Sequence, residues 1–365
     1  MKNRISLLLI LALSIFSCSN KKNAQNRPQR WVHYAAELED DWFSSNEATR
    51  IANNLLIAQK SYGGWEKNIN FHNELTEIEK EEFIDNKNYL GATIDNDATT
   101  TEIRFLAKTN SKHPNDKYHS AVIKGIDYLL EIQYDNGGWP QFYPIRDEEN
   151  HYSRHITYND NAMTNVLYLL KNILNNHKDF ESINFDDEYI SQIKTAVDKG
   201  IECILNTQII VDSKPTVWCA QHHNITLEPV GARTYELPSF SGGESVDVVL
   251  FLMNLENPSK EVINAVEGAI KWFETYKLNG IRVDYILNED GKRDRIVVED
   301  ENAPPIWARF YDLETVEPFF CSRDGIKRSK LSEITRERRG GYGWYTYAPQ
   351  TAIDQYDEWK KRVEK

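Results

Sequence analysis

The sequence predicts an all-α protein assembled from repeated helical hairpins, and three observations carry that prediction. Apolar residues recur at helical spacing through most of the chain, convincing β-alternation is scarce, and a Gln…Gly-Gly-Trp segment occurs twice, 74 residues apart. The 365 residues include nine Trp, 19 Tyr and 14 Phe, which excludes a disordered chain. The only long apolar run lies at the very start, which excludes a polytopic membrane protein.

That start reads as an export leader. Lys2 and Arg4 form a charged n-region, residues 5–16 an apolar h-region, and Ser17-Cys18 a small-residue junction. The apolar run is too short for a helix that must cross hydrocarbon, which takes about 20 residues. Ile15-Phe16-Ser17-Cys18 resembles a bacterial lipobox, and the following residues are polar, as a tether would be. The alternative is an ordinary signal peptide with an incidental cysteine. Residues 1–17 are therefore read as signal, 18–38 as a tether from a lipidated Cys18, and 39–365 as one folded domain. The protein is expected in the periplasm or on the outer-membrane surface, touching membrane only through that lipid.

Within the domain, helices are predicted at 46–59, 99–107, 118–133, 160–174, 190–207, 244–255 and 260–276. The first carries Ile51, Leu55 and Ile57 between polar faces, and the third repeats the pattern through Val122, Ile126, Leu129 and Leu130. Residues 281–286 and 296–298 are the best strand candidates. The repeated unit reads Gln59…Gly63-Gly64-Trp65 and Gln133…Gly137-Gly138-Trp139, with a weaker echo in Gln208 before Trp218. Gly341-Tyr342-Gly343-Trp344 closes the series. Gly-Gly ends a helix by supplying positive φ, and the Trp packs back over the end. The spacing suggests about two hairpins per period. Such units resemble the α/α toroids of polysaccharide lyases and terpenoid cyclases; an irregular helical bundle is the alternative.

A formal net charge of −13 argues against nucleic-acid binding, and removing the leader takes away two basic residues and no acid. The charge is uneven. Residues 321–345 hold seven Arg or Lys against three acids, either a landing strip for a polyanion or a solvated basic loop. Cys18, Cys203, Cys219 and Cys321 form neither a disulfide framework nor a metal-ligand pattern.

Four polar runs carry candidate chemistry. Asp95-Asn96-Asp97-Ala98-Thr99-Thr100-Thr101 opens a helix with more oxygen donors than an N-cap needs, which suits a hard cation or a sugar. Tyr158-Asn159-Asp160-Asn161 has the same character, and helix starts gathered at one end of a toroid would bring Asp95, Asn96 and Asp160 to a common mouth. Arg233 sits in a Gly/Pro-bounded loop at 227–239. Trp307-Ala308-Arg309-Phe310-Tyr311 mixes Arg with aromatics, suiting a carboxylate-bearing sugar: Arg309 would fork onto the carboxylate, and Trp307 or Tyr311 would stack on the ring. An acid–base carboxylate pair for hydrolysis, Asp95 with Glu228 or Glu244, is a competing arrangement that leaves both arginines without a role. A non-catalytic glycan-binding protein would use the aromatics and arginines alone.

Taken in order, the Asp95-Asn96 helix start, Asn-Gly-Gly-Trp-Pro-Gln-Phe-Tyr at 136–143, Tyr-Asn-Asp at 158–160, Gly-Ala-Arg-Thr-Tyr-Glu-Leu-Pro at 231–238 and Trp-Ala-Arg-Phe-Tyr at 307–311 resemble the pectate lyases of polysaccharide lyase family 10. The resemblance spans roughly residues 42–348. It implies an α/α toroid that cleaves polygalacturonate by Ca²⁺-assisted β-elimination, with pectin oligosaccharides as partners. On matching positions, Arg233 is similar to the catalytic base, and Asp95, Asn96 and Asp160 resemble the residues that hold calcium and substrate. Arg309 resembles a clamp on the substrate carboxylate, with Arg295 a second candidate. Asp97 departs from the pattern, where a small residue such as Gly would be more usual. An arginine base is chemically demanding, because a guanidinium has a pKa above about 12. It needs a substrate proton acidified by metal, or crowded cations. Oligomeric state is not legible.

Overall fold

A computed structural model describes residues 29–145 and 151–364. The leader, Cys18 and the first part of the tether lie outside the described residues. The helices are α1 Trp31–Ala36, α2 Asn46–Ala58, α3 Glu77–Asp85, α4 Thr100–Lys112, α5 Asp116–Glu131, α6 Ala162–Leu174, α7 Asp187–Thr207, α8 Ser245–Met253, α9 Lys260–Thr275, α10 Arg336–Gly341 and α11 Pro349–Val363. Hairpins α4/α5, α6/α7 and α8/α9 stand side by side, with α4, α6 and α8 as one row and α2, α5, α7 and α9 as the row behind it. Helix α11 closes the end against α8 and α9. This is an α/α toroid without a closed barrel.

The repeated motif is the joint between hairpins. Gln59 donates its amide to the Gly63 and Ala121 carbonyls at 2.8 and 2.9 Å. Gln133 does the same to Gly137 and Ala196 at 3.0 and 2.9 Å, and Gln208 to Thr216 and Ala265 at 2.8 and 2.9 Å. Each glutamine thus ties the end of one back-row helix to the next. The tryptophan indoles return to a carbonyl of the helix just ended: Trp65 to Leu55, Trp139 to Leu129 and Trp218 to Ile204, at 2.9, 2.8 and 2.7 Å. Trp307 does so to Phe273 at 2.8 Å and is a fourth member of the series. Gly63 and Gly137 have φ of +111° and +88°, and a Cβ there would lie 2.2 and 1.9 Å from the Lys124 and Lys199 carbonyl oxygens. The period is therefore one hairpin rather than two, stretched in sequence by α3 and long connections. Trp344 does not belong to it: its indole bonds to the Arg338 carbonyl in a separate apolar cluster with Tyr235, Phe310, Phe320 and Tyr342.

Two boundaries differ from expectation. The tether does not extend to residue 38, because Trp31 of α1 is buried at 3% exposure and its indole donates to Glu102 at 2.8 Å. The expected strands form one antiparallel hairpin, Ile281–Leu287 with Arg293–Glu299. Among the described residues no helix is long and apolar enough to cross a membrane.

Candidate active site

The front-row helices begin at the same end. The turn Asp95–Asp97 leads to α4, Asn159–Asn161 leads directly into α6, and Glu244 is the N-cap of α8. The first two turns pack on one another. Both need left-handed backbone: φ is 54° at Asn96, 61° at Asp97, 50° at Asp160 and 61° at Asn161. Asn and Asp tolerate that region better than other residues with a side chain, so the Asp/Asn repetition has a backbone cause as well as a chemical one. It also accounts for Asp97, since a glycine would serve the same conformation.

Asp95 is 2% exposed; one carboxylate oxygen binds the Lys67 ammonium and the other is buried without a partner. Asp160 stands open at the mouth, its side chain 44% exposed. Lost hydration nevertheless raises its pKa, Arg309 opposes the rise, and Glu244 and Asp95 add to it. An orphaned carboxylate oxygen beside a second carboxylate fits a hard cation such as Ca²⁺. Among the described residues no group of three or more His, Cys, Asp or Glu could hold a metal ion. The protein would thus supply two carboxylates, and the remaining oxygens would come from water or a bound acid. Asn96 stands beside this pair, with its amide donating to Asn68 at 3.3 Å.

Opposite these turns lie two arginines. Arg309 is fixed between the short strands Trp307–Ala308 and Phe310–Tyr311. Its backbone N–H bonds the Trp344 carbonyl at 2.8 Å and its own carbonyl accepts from Gly242 at 3.0 Å. The guanidinium binds the Glu244 carboxylate, donates to the Asn159 side chain at 3.1 Å and lies 3.7 Å from Asp160. Burial alone would lower its pKa, but Glu244, Tyr342 and Asp160 more than offset that and hold it charged. Arg233 arrives on the loop at 231–238, which is aligned by pairing of Ile156–Thr157 with Gln221–His222 and by the Val230 N–H on the Gln221 carbonyl at 3.0 Å. Its guanidinium forks onto Glu236, with Nε at 2.7 Å, and the Tyr342 hydroxyl donates to the same carboxylate at 2.7 Å. The Tyr342 ring joins the two arginines, with guanidinium carbons 4.7 Å (Arg309) and 5.7 Å (Arg233) from its centroid.

The structure therefore brings Asp95, Asp160, Arg309 and, through Tyr342, Arg233 to one end of the toroid. It does not bring every expected residue there. Trp307 and Tyr311 are 0% and 1% exposed. Their polar atoms bond the Phe273 carbonyl at 2.8 Å and the Tyr276 carbonyl at 2.9 Å, so neither ring is available to stack on a sugar. Arg295 binds the Tyr342 carbonyl and lies 4.9 Å from the Tyr285 ring, so it supports the Tyr342 segment instead of joining Arg309. The basic run at 321–345 is largely neutralised: Arg323 and Arg338 pair with Glu337, Lys327 with Asp312, Arg328 with Asp324 and Arg339 with Asp294. Glu244, 4% exposed at its side chain, is committed to Arg309 and Ser241, and Glu228 turns to Thr226, so neither is free to complete a hydrolytic acid–base pair with Asp95. Sequence reasoning missed Lys67, Glu236 and Tyr342. Their only signal was position: Lys67 follows a repeat tryptophan by two residues, and Glu236 follows Arg233 by three.

The comparisons give the class of enzyme to which this helical toroid, with arginines set against two acidic helix-start turns, belongs. The profile of the pectic acid lyase family matches residues 59–353, and the chain belongs to that family. It is similar to a solved family 10 polysaccharide lyase from Cellvibrio cellulosa, with 34% identity and a TM-score of 0.75 over 90% of this chain and 95% of that one. An aspartate-to-alanine mutant of the Cellvibrio cellulosa enzyme, in complex with trigalacturonic acid, matches at 34% identity and a TM-score of 0.74 over 90% and 97%. No curated protein matches the sequence significantly. The chain is a polysaccharide lyase.

Proposed function

We propose that this lyase cleaves demethylated pectin by anti β-elimination across C4–C5 and leaves unsaturated oligogalacturonides. The observation that carries the reading is the orphaned Asp95 oxygen and Asp160 on one side of the mouth, with Arg309 3.7 Å from Asp160 on the other. A uronate carboxylate arriving at the mouth would meet positive charge from Arg309, and Asp95 and Asp160 would hold the Ca²⁺ that adds to it. The trigalacturonate complex of the Cellvibrio enzyme supports the substrate class.

Elimination removes the C5 proton, which is α to the carboxylate, and expels the C4 oxygen. Calcium bound at the two aspartates would supply Lewis acidity, neutralising the carboxylate so that the C5 proton becomes removable. Arg309 adds a fixed donor aimed at the same developing charge, and Glu244 and Asn159 prevent it from swinging away. Arg233 is assigned as the base. In the free enzyme burial works to lower its pKa, but the fork on Glu236 more than offsets that and raises it, which opposes that role. In the other direction, Arg323 and Arg338 share the Tyr235 ring with it, at 5.7 and 4.6 Å against 5.0 Å for Arg233. The chain is further proposed to be exported and anchored at Cys18, with residues 19–30 as the tether.

Product analysis tests the reaction. Polygalacturonate should yield ultraviolet-absorbing oligomers with unsaturated non-reducing ends, and heavily methyl-esterified pectin far fewer. New reducing ends without that absorbance would sink the lyase chemistry.

A further inference from the structure

A cavity of about 220 Å³ lies against the mouth and shares Lys67 and Asn96 with it. Arg30, Trp31, Lys67, Asn68, Asn96 and Glu102 are among the residues that line it. Its outer wall is the start of α1, which precedes the segment shared with the family at 59–353. Trp31 fixes that wall: its N–H donates to the Asn70 side chain at 3.1 Å, and its ring lies 5.1 Å from Phe105. Arg30 makes no ion pair among the described residues. Its guanidinium reaches only the neutral Asn68 oxygen, at 3.4 Å, and the Asn96 amide donates to that same oxygen at 3.3 Å. Burial raises the carboxyl pKa of Asp97 and the Arg30 charge is among those that oppose the rise, so that charge is felt at the mouth. Glu102, 1% exposed, has a carboxyl oxygen without a partner.

We propose that this cavity is an additional subsite that takes one uronate residue of the polymer beyond those held at the mouth, with Arg30 receiving its carboxylate. An unpaired guanidinium matches a carboxylate, while the Asn68 and Asn96 amides match sugar hydroxyls. The volume suits a single ring, not an oligosaccharide. Burial pushes the Glu102 pKa up to about 7, so at mildly acid pH the carboxyl is neutral and does not repel the uronate. The subsite rests on the proposed cleavage of polygalacturonate. Its outer wall is the start of α1, so this chain would bind longer substrate than the mouth alone accommodates.

Arg30→Gln tests it. The Arg30 carbonyl, not its side chain, accepts the first bonds of α1 from His33 and Tyr34, so the helix remains. Initial rates of ultraviolet-absorbing product are compared on tri- and hexagalacturonate. The ratio of kcat/KM for hexamer over trimer should fall about three- to tenfold in the variant, through KM, with Arg30→Lys recovering part of it. An unchanged ratio, with product still formed, overturns the subsite and leaves the lyase reading intact. No ultraviolet-absorbing product from the unaltered enzyme overturns both.

Discussion

The two sides of the mouth are built in different ways. The acidic side is local: Asp95, Asn96 and Asp97 are neighbours in sequence, as are Asn159, Asp160 and Asn161, and each run is the entry to a front-row helix. The basic side is assembled from afar. Arg233, Glu244, Arg309 and Tyr342 come from four loops and helix ends and converge over the apolar cluster that contains Phe310, Tyr342 and Trp344. Carboxylates on rigid helix starts are suited to hold a cation at a fixed place. Arginines on loops are positioned by one another's partners, so removing one disturbs the rest.

The largest expected effect follows from that coupling. Arg309→Ala strands the Glu244 carboxylate in a buried place, which should cost about 3–5 kcal/mol in urea unfolding as well as abolish cleavage. A loss below about 1 kcal/mol would show that the basic side is not held together by this pair. Arg233, 44% exposed at its side chain, is expected to separate the two readouts. Arg233→Lys should lower kcat by about 10²-fold or more while unfolding stability changes by less than about 1 kcal/mol. Equal losses in both would make Arg233 a structural residue.

On the acidic side, Glu102 offers a sharper test through pH. Its folded pKa is about 7, above the ordinary 4.5, because burial penalises the charged form. The folded state therefore holds a proton that the unfolded state gives up. The stabilisation is complete below pH 4.5, declines as pH rises, and is gone above about 7. Glu102→Gln should remove up to about 3 kcal/mol of that pH dependence, read from urea midpoints across the interval. A parallel decline in both proteins would place the titration elsewhere. The smallest effect is expected at Trp307→Phe, which deletes the bond to the Phe273 carbonyl. It should cost about 1 kcal/mol of stability and leave KM unchanged. A raised KM would restore a sugar contact for this residue.

Much of this was legible in the sequence, for identifiable reasons. The Gln…Gly-Gly-Trp repeat announced hairpin joints because a glutamine amide, a positive-φ glycine and an indole N–H each have one job there. The acidic runs were visible because helix starts are local. Trp307 was misread because the fourth joint lacks the Gly-Gly pair, so the same indole-to-carbonyl bond carried no signature. Helix α3 was missed because it has no buried residue; only its capping box marks it, with the Thr76 N–H on Glu79 at 2.7 Å. Glu236 was marked only by its place three residues after Arg233, and Tyr342, 106 residues further on and bonded to it at 2.7 Å, was invisible because nothing local requires it.

We propose that the acidic side holds a cation against which the arginines work. Initial rates of ultraviolet absorbance on polygalacturonate, titrated with Ca²⁺ from a chelated baseline, test it for the unaltered enzyme and Asp160→Asn. Asp160 is exposed at the mouth, so the variant should fold normally yet need at least about tenfold more Ca²⁺ for half-maximal rate. Cleavage that proceeds equally in chelator, or identical calcium curves for the two proteins, would contradict the account.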